Sequence, residues 1–264
     1  MVFVQLVRES MAVNFQNIRI VLVETSHPGN IGSAARAMKN MCLQDLYLVT
    51  PKNFPDPQGK SKAMAAGADD ILARIKIMDS LDEALVGCSY VVGASARLRS
   101  IPWPVIDPRE CVQQLIGIAQ TDQVALVFGR EDRGLTNEEL ERCNALVHIP
   151  GNPEYMSLNI ASAVQVLAYE IHMASYLEAD RPNKQDEFYD HPRATADEVE
   201  GLYGHFESAL TALGFHDPEN PRQLMRRLRR LFNRAGLDKM EVNILRGILT
   251  AAEKGGKKKN MKAG

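Results

Sequence analysis

Three short segments bring glycine, amide, hydroxyl and charged side chains together more densely than plain turns require. The first, Thr-Ser-His-Pro-Gly-Asn-Ile-Gly-Ser-Ala-Ala-Arg at 25–36, has glycines that let backbone approach a ligand and two candidate helix caps, Asn30 and Ser33. Arg36 lies one helical turn beyond Ser33 on the same face. A capped helix with a solvated arginine would use the same residues, and the GxGxxG spacing of a dinucleotide site is missing. The second segment, 128–135, puts Gly129 at a strand end, followed by Arg130, Glu131, Asp132 and Arg133. The bland alternative is a surface ion-pair loop. In the third, 149–159, two prolines and a glycine fix an irregular loop, and Ser157 and Asn159 then open an apolar helix. Ser157 as a mere N-cap is the competing reading.

The elements that must position these segments are legible in the apolar pattern. Short β-branched runs at 18–23, 46–49, 90–92, 124–128 and 146–149 have strand length and are apolar on both faces, as in a parallel sheet covered by helices. Helical segments near 31–41, 81–86, 108–119 and 137–143 lie between them, so the alternation predicts an α/β fold. Each chemical segment then follows a strand or opens a helix. Open α/β sheets bind ligands outside the carboxyl ends of their strands, so the three are candidates for one site. The helix at 157–177 carries apolar residues on nearly every face, which predicts a sheet on one side and a second subunit on the other.

Charge divides the chain further. Residues 1–177 hold 15 basic and 19 acidic side chains, 178–221 hold 3 and 11, and 222–264 hold 13 and 3. The polar, acidic stretch 178–194 reads as a linker. A capping box at 195–198 then opens the first of three amphipathic helices, the second with a Leu224, Leu228, Leu231 stripe flanked by arginines. Residues 1–16 read as an N-terminal extension and 255–264 as a disordered, Lys-rich tail. No run approaches membrane-span length and the start lacks a signal-peptide pattern, so a cytoplasmic protein is expected. The four cysteines are far apart, without CxxC pairs or a nearby histidine set. Neither disulfides nor a metal is expected.

Taken together and in order, Asn30-x-Gly-Ser-x-x-Arg36, Phe-Gly-x-Glu-x-x-Gly-Leu at 128–135, and Ile149-Pro followed by Ser157-Leu-Asn159 resemble the three signature motifs of the SPOUT superfamily of RNA methyltransferases, TrmH type. Val-Glu-Thr-Ser-His-x-Gly-Asn at 23–30, Gly-Ala-Ser-Ala-Arg at 93–97 and Asn-Pro-Glu-Tyr at 152–155 look like the branch that methylates the ribose 2′-oxygen of cytidine or uridine at nucleotide 32 of the tRNA anticodon loop. The resemblance covers about 17–175 of the expected domain 17–177 strongly and the basic helical domain, 195–254, more loosely. It implies a homodimer through the helix 157–177, a parallel sheet whose C-terminal part is tied in a trefoil knot, and S-adenosylmethionine held by the knot loops. General connection rules alone would reject such a knot.

Carried over residue by residue, the resemblance implies a cofactor pocket of Ala94, Ser95, Ala96, Gly129, Ile149 and Leu158, with a side chain at Gly129 intruding on cofactor space. It assigns the chemistry to Arg36, with Asn30, Glu131, Ser157 and Asn159 holding Arg36 and the ribose. A guanidinium is a poor base, so hydrogen bonding to the hydroxyl and an adjacent phosphate is the expected role of Arg36. Arg97 and Arg99 would clamp RNA phosphates beside Trp103, and Arg226, Arg227, Arg229 and Arg230 would add tRNA affinity. The competing class is a non-catalytic RNA-binding or ribosome-assembly protein on the same fold. Arg36 together with Ser157-Leu158-Asn159 argues against it.

Overall fold

The computed structural model describes residues 14–95, 104–154, 157–178 and 191–260, and the chain divides into two units at 185/186. In the first unit, seven strands among the described residues form one sheet: β1 Ile18–Val23, β2 Asp45–Val49, β3 Lys76–Met78, β4 Cys88–Ala94, β5 Val105–Ile106, β6 Gln123–Phe128 and β7 Ala145–Val147. Every pairing is parallel, in the order β3-β2-β1-β6-β4-β7-β5. The central strand β1 is buried along its whole length, which explains a strand apolar on both faces. The two edge strands went unread because two or three residues are too few to show a period.

Helices α1 Pro28–Asn40, α2 Lys60–Ala65, α3 Asp69–Leu72, α4 Leu81–Leu85, α5 Pro108–Ala119, α6 Asn137–Leu140 and α7 Ile160–Glu178 cover the sheet. Helix α1 begins three residues earlier than the sequence pattern indicates. Pro28 opens it, because the first helical position needs no N–H and proline's φ already suits a helix. Asn30 and Ser33 therefore lie inside the helix, and His27 holds the cap position. Gly32 is required by packing: a Cβ there would fall 1.9 Å from the Ser61 carbonyl oxygen of α2. Helix α7 starts after the expected Ser157. Asn159 precedes it, and its Oδ1 accepts from the Ala161 N–H at 2.9 Å. Residues 14–16 are not a loose extension: Phe15 packs on the core, and the adjoining Asn17 amide donates to the Ala119 carbonyl at 2.9 Å.

The second unit contains α8 Ala196–Ala212, α9 Leu224–Ala235 and α10 Lys239–Asn260 around Ala194, Leu202, Ala209, Val242 and Leu249. The expected linker ends earlier than 194, since Ala194 is buried and donates its N–H to the Leu237 carbonyl at 2.9 Å. Residues 179–190 lie outside the described ones. Residues 255–260, expected in a disordered tail, are helical. Helix α10 continues to Asn260, where lysines are good helix formers.

Candidate active site

Strand register builds the site. Leu22 pairs with Phe128, Phe128 with Ala94, and Ala94 with Val147, so β1, β6, β4 and β7 end level with one another. The segments leaving them, at Glu24, Gly129, Ser95 and His148, emerge side by side at the carboxyl edge. This is where an open α/β sheet places a ligand. Ser95 N–H donates to the Val147 carbonyl at 3.0 Å, and the Ser95 carbonyl lies 3.1 Å from His148 Nδ1.

These loops enclose a cavity of about 420 Å³. Ala94, Ser95, Gly129, Ile149 and Leu158 line it, as do Ser157 and Glu131. Ala96, Arg97 and Arg99 lie outside the described residues, and so does Trp103. Phe128, Leu135 and Val147, nearly fully buried, complete an apolar wall that the motif reading left unnamed. Glu154 also reaches the cavity.

Gly129 has a different reason for being glycine than the one expected. The loop after it folds back, with Arg130 and Gly134 exchanging backbone hydrogen bonds at 3.2 and 2.9 Å. A Cβ on Gly129 would fall 2.1 Å from the Gly134 carbonyl carbon and 2.2 Å from the Leu135 nitrogen. It would strike the returning chain before filling any ligand space. Glycine is thus demanded by loop closure.

Beside the cavity a hydrogen-bond relay crosses from loop to helix. The Glu131 carboxylate accepts from Thr25 Oγ1 at 2.7 Å, from Ser26 N and Oγ at 3.2 and 3.1 Å, and from Asn30 Nδ2 at 2.9 Å. Asn30 Oδ1 accepts from Asn159 Nδ2 at 2.9 Å. A carboxylate can only accept, so the Asn30 amine must face it. The Asn30 oxygen then meets the Asn159 amine, leaving the Asn159 oxygen for the α7 N–H. Both ends fix one polarity. Burial pushes the Glu131 carboxyl up, but donation from Thr25, Asn30 and backbone outweighs it and brings the pKa down to about 2. Glu131 is therefore a fixed anion and an unsuitable proton shuttle near neutrality.

Asn30, Glu131 and Asn159 are thus joined, whereas Arg36 and Ser157 stand apart from the relay. Arg36 is exposed on α1 and has no hydrogen bond or ion pair to a described residue. The expectation that Asn30, Glu131, Ser157 and Asn159 hold Arg36 is not met. They hold each other, and Arg36 is available to a ligand. Thr25 and Ser26 were missed as functional residues, although both lie within the first motif.

In the second unit the arginines of α9 divide. Arg229 was expected on RNA, yet its guanidinium forks onto Glu200, with Nη2 2.6 Å from Oε1, and lies 4.5 Å over the Tyr203 ring. Tyr203 is buried and donates to Asn233 Oδ1 at 2.6 Å. Arg229 is a packing residue whose charge is already matched. Arg227 is exposed, and Arg226 and Arg230 are half-buried.

Among the described residues no group of His, Cys, Asp and Glu could hold a metal ion, and no helix is long and apolar enough to cross a membrane. Burial pushes the Cys111 and Cys143 thiols up to about 12, which makes both unreactive.

A parallel sheet with ligand loops at its carboxyl edge is an α/β architecture built for ligand binding, and residues 17–169 match the SpoU rRNA Methylase family, which makes the class that of a methyltransferase. Residues 197–262 match the tRNA methyltransferase TrmJ, C-terminal domain. The tRNA (cytidine/uridine/adenosine-2′-O-)-methyltransferase TrmJ of Pseudomonas aeruginosa strain UCBPP-PA14 is 55% identical over 243 residues, covering 90% of this chain and 94% of its own. The tRNA (cytidine/uridine-2′-O-)-methyltransferase TrmJ of Escherichia coli strain K12 is 55% identical over 238 residues, covering 90% and 96%. The crystal structure of TrmJ from Z. mobilis ZM4 superposes with a TM-score of 0.76 at 33% identity, covering 89% of this chain and 98% of that one. The chain therefore belongs to the TrmJ family of SpoU methyltransferases.

Proposed function

We propose that this protein transfers the methyl group of S-adenosylmethionine to the ribose 2′-hydroxyl of cytidine or uridine at nucleotide 32 of the tRNA anticodon loop. The observation that carries the reading is the junction of an apolar cavity with the Glu131–Asn30–Asn159 relay, whose Asn30 shares helix α1 with an exposed Arg36. Relatives named as tRNA 2′-O-methyltransferases support the reaction, and the motif resemblance supports nucleotide 32. The reading includes the trefoil knot, whose expected loops include residues 96–103 and 155–156, outside those described.

The chain's residues fit this donor. Phe128, Leu135, Ile149 and Leu158 offer dry walls to an adenine, while Ser95 and the adjoining backbone offer directional polar groups. Glu131, Asp132 and Glu154 line the cavity with Arg133 and an Arg130 already matched by Glu24 and Glu139, an acidic excess that suits a cationic donor. When bound, it supplies an activated methyl group. The protein's task is then to orient the ribose and help its proton leave. Arg36 donates hydrogen bonds to the 2′-oxygen and a neighbouring phosphate, stabilising negative charge as it develops, and the hydroxyl proton passes to that phosphate or to a transiently neutral Arg36 guanidine. Asn30, anchored by Glu131, fixes the ribose side, and Asn159 and Ser157 bound it from the segment that leads into α7.

The functional protein is a homodimer in the cytoplasm. Helix α7 buries Val164, Leu167 and Ile171 but leaves Tyr169, Met173 and Tyr176 at least 40% exposed, an apolar face suited to a second copy. The second unit, whose Lys and Arg concentrate in 222–264, together with Arg97 and Arg99 of the first, supplies tRNA contacts. Unmodified tRNA incubated with the protein and S-adenosylmethionine, then digested for nucleoside mass analysis, should yield 2′-O-methylcytidine or 2′-O-methyluridine mapped to nucleotide 32. Methylation elsewhere overturns the position, and no 2′-O-methyl nucleoside overturns the reaction.

A further inference from the structure

In the cavity lining, Arg130 is only 8% exposed and holds two carboxylates at once. Its Nη1 and Nη2 fork onto Glu139 at 2.9 and 3.0 Å, and Nη2 also donates to Glu24. The Glu139 pairing is accounted for locally. Glu139 closes the capping box of α6, accepting from the Thr136 N–H at 2.7 Å, so Arg130 and Glu139 tie the loop to its own helix. Glu24 has no such local duty. It belongs to the end of β1, 106 residues away, and adopts φ +46°, a left-handed conformation that costs a side-chain-bearing residue energy.

Two costly features therefore meet beside the cavity: a buried charge cluster, which apolar packing could replace without loss of stability, and a strained backbone. They also stand in register. Glu24 binds Arg130, while the next residue, Thr25, binds Glu131. Two consecutive rungs thus clamp the β1 end to the loop lining the cavity. The donors of the hydrogen hold Glu24 ionised: the Arg130 guanidinium, chiefly by its hydrogen bond, keeps this carboxyl below its ordinary value despite burial, with help from Lys52 and Arg133.

We infer that Arg130 is a positioning residue for methyl transfer: by holding Glu24, while Glu139 ties it to its own helix, it sets the placement of the donor-side loop relative to the acceptor-side residues Asn30 and Arg36. The inference rests on the proposed function. Any shift of Arg130 moves Glu131 beside it, and through Glu131 it moves Asn30 and Asn159. The reacting groups would still bind, but out of line with one another.

The test measures single-turnover methyl transfer to unmodified tRNA at saturating S-adenosylmethionine, with tRNA affinity and melting temperature, for Glu24→Gln, Glu139→Gln and Arg130→Lys. Glu24→Gln should slow transfer by about tenfold or more while tRNA affinity changes by less than about threefold. Glu139→Gln, at an equal or larger fall in melting temperature, should slow it by less than about threefold. Arg130→Lys keeps the charge but loses the Nη2 that Glu24 shares with Glu139, and should slow transfer at least as much as Glu24→Gln. If Glu24→Gln does not fold, Glu24→Asp, which keeps the charge and shortens the reach, takes its place with the same expectation. Transfer rates that track melting temperature alike in the Glu24 and Glu139 variants, or a Glu24 variant at the wild-type rate, overturn the inference. A wild-type protein that transfers no methyl group refutes the proposed function; an active wild type with an indifferent Glu24 refutes only the bridge.

Discussion

Asn30 and Glu131 lie 101 residues apart in the chain and 2.9 Å apart in the fold. This bond joins the first motif to the second, and the Asn30 oxygen carries the connection on to Asn159 in the third. Asn30→Ala removes a donor from a carboxylate and an acceptor from an amide. Turnover should fall by about 10²-fold, in the range seen when a preorganised polar contact is lost. Steady-state methyl transfer checks it, and a loss below about threefold would leave the relay a fold element only.

Glu131 also predicts a pH dependence. Its carboxyl ionises at about 2 in place of the ordinary 4.5, so the folded state gains from the ionised form above about pH 4.5 and loses that gain as pH falls toward 2. Urea midpoints measured across this window should decline for the wild type. The Glu131→Gln variant should be less stable near neutrality and should decline less on acidification.

Arg36 is exposed and bonded to no described residue, so its truncation removes nothing the folded chain uses. Arg36→Ala should keep the melting temperature and the affinity for S-adenosylhomocysteine by calorimetry, while turnover drops by about 10²–10³-fold. Turnover within about tenfold of wild type would make Arg36 a minor contact.

Gly129→Ala should lose donor binding and thermal stability together. The added Cβ would sit 2.1 Å from the Gly134 carbonyl carbon, so the loop must open before any ligand is met. A variant with native melting behaviour and selectively lost donor affinity would return Gly129 to the ligand-contact role.

Legibility followed chain locality. The six residues of β1 were readable because a parallel-sheet core writes itself as an apolar run, and the three motifs were readable because each is contiguous. What joins them was not. The Glu24–Arg130 bridge spans β1 and β6, and no local period relates residue 24 to residue 130. Arg229 illustrates the reverse error. Four arginines in five positions at 226–230 suggested one electrostatic surface, but helix geometry turns Arg229 inward over Tyr203, where Glu200 from another helix neutralises it. Composition counts charges and cannot say which are already paired.

The proposed dimer through α7 predicts a choice of residue that the apolar pattern alone would get wrong. Ile171 is fully buried within one chain, so a charge there would unfold the protein and say nothing of assembly. Met173 and Tyr169 are 40% and 47% exposed. Met173→Glu with Tyr169→Glu should leave the circular dichroism spectrum unchanged and shift sedimentation from dimer to monomer. A dimer that persists places the interface elsewhere.

The helical unit should separate stability from RNA affinity at two neighbouring arginines. RNA binding releases counterions in proportion to the phosphates neutralised, so a free surface cation contributes about one unit to the slope of log affinity against log salt. Arg227 is exposed and available for that role. Arg229 is committed to Glu200 and to the Tyr203 ring, and removing it leaves Glu200 without its partner. Arg227→Ala should therefore preserve the melting temperature, weaken tRNA binding and flatten the salt slope by about one unit. Arg229→Ala should destabilise the unit by about 1–3 kcal/mol, the usual cost of losing hydrogen bonds to a charged group. At temperatures where the unit remains folded, it should leave the salt slope near wild type. Filter binding across a salt series, paired with thermal melts, reads both quantities. If Arg229→Ala melts like wild type and flattens the slope as Arg227→Ala does, the guanidinium leaves Glu200 for phosphate when tRNA binds, and its ion pair is a resting contact.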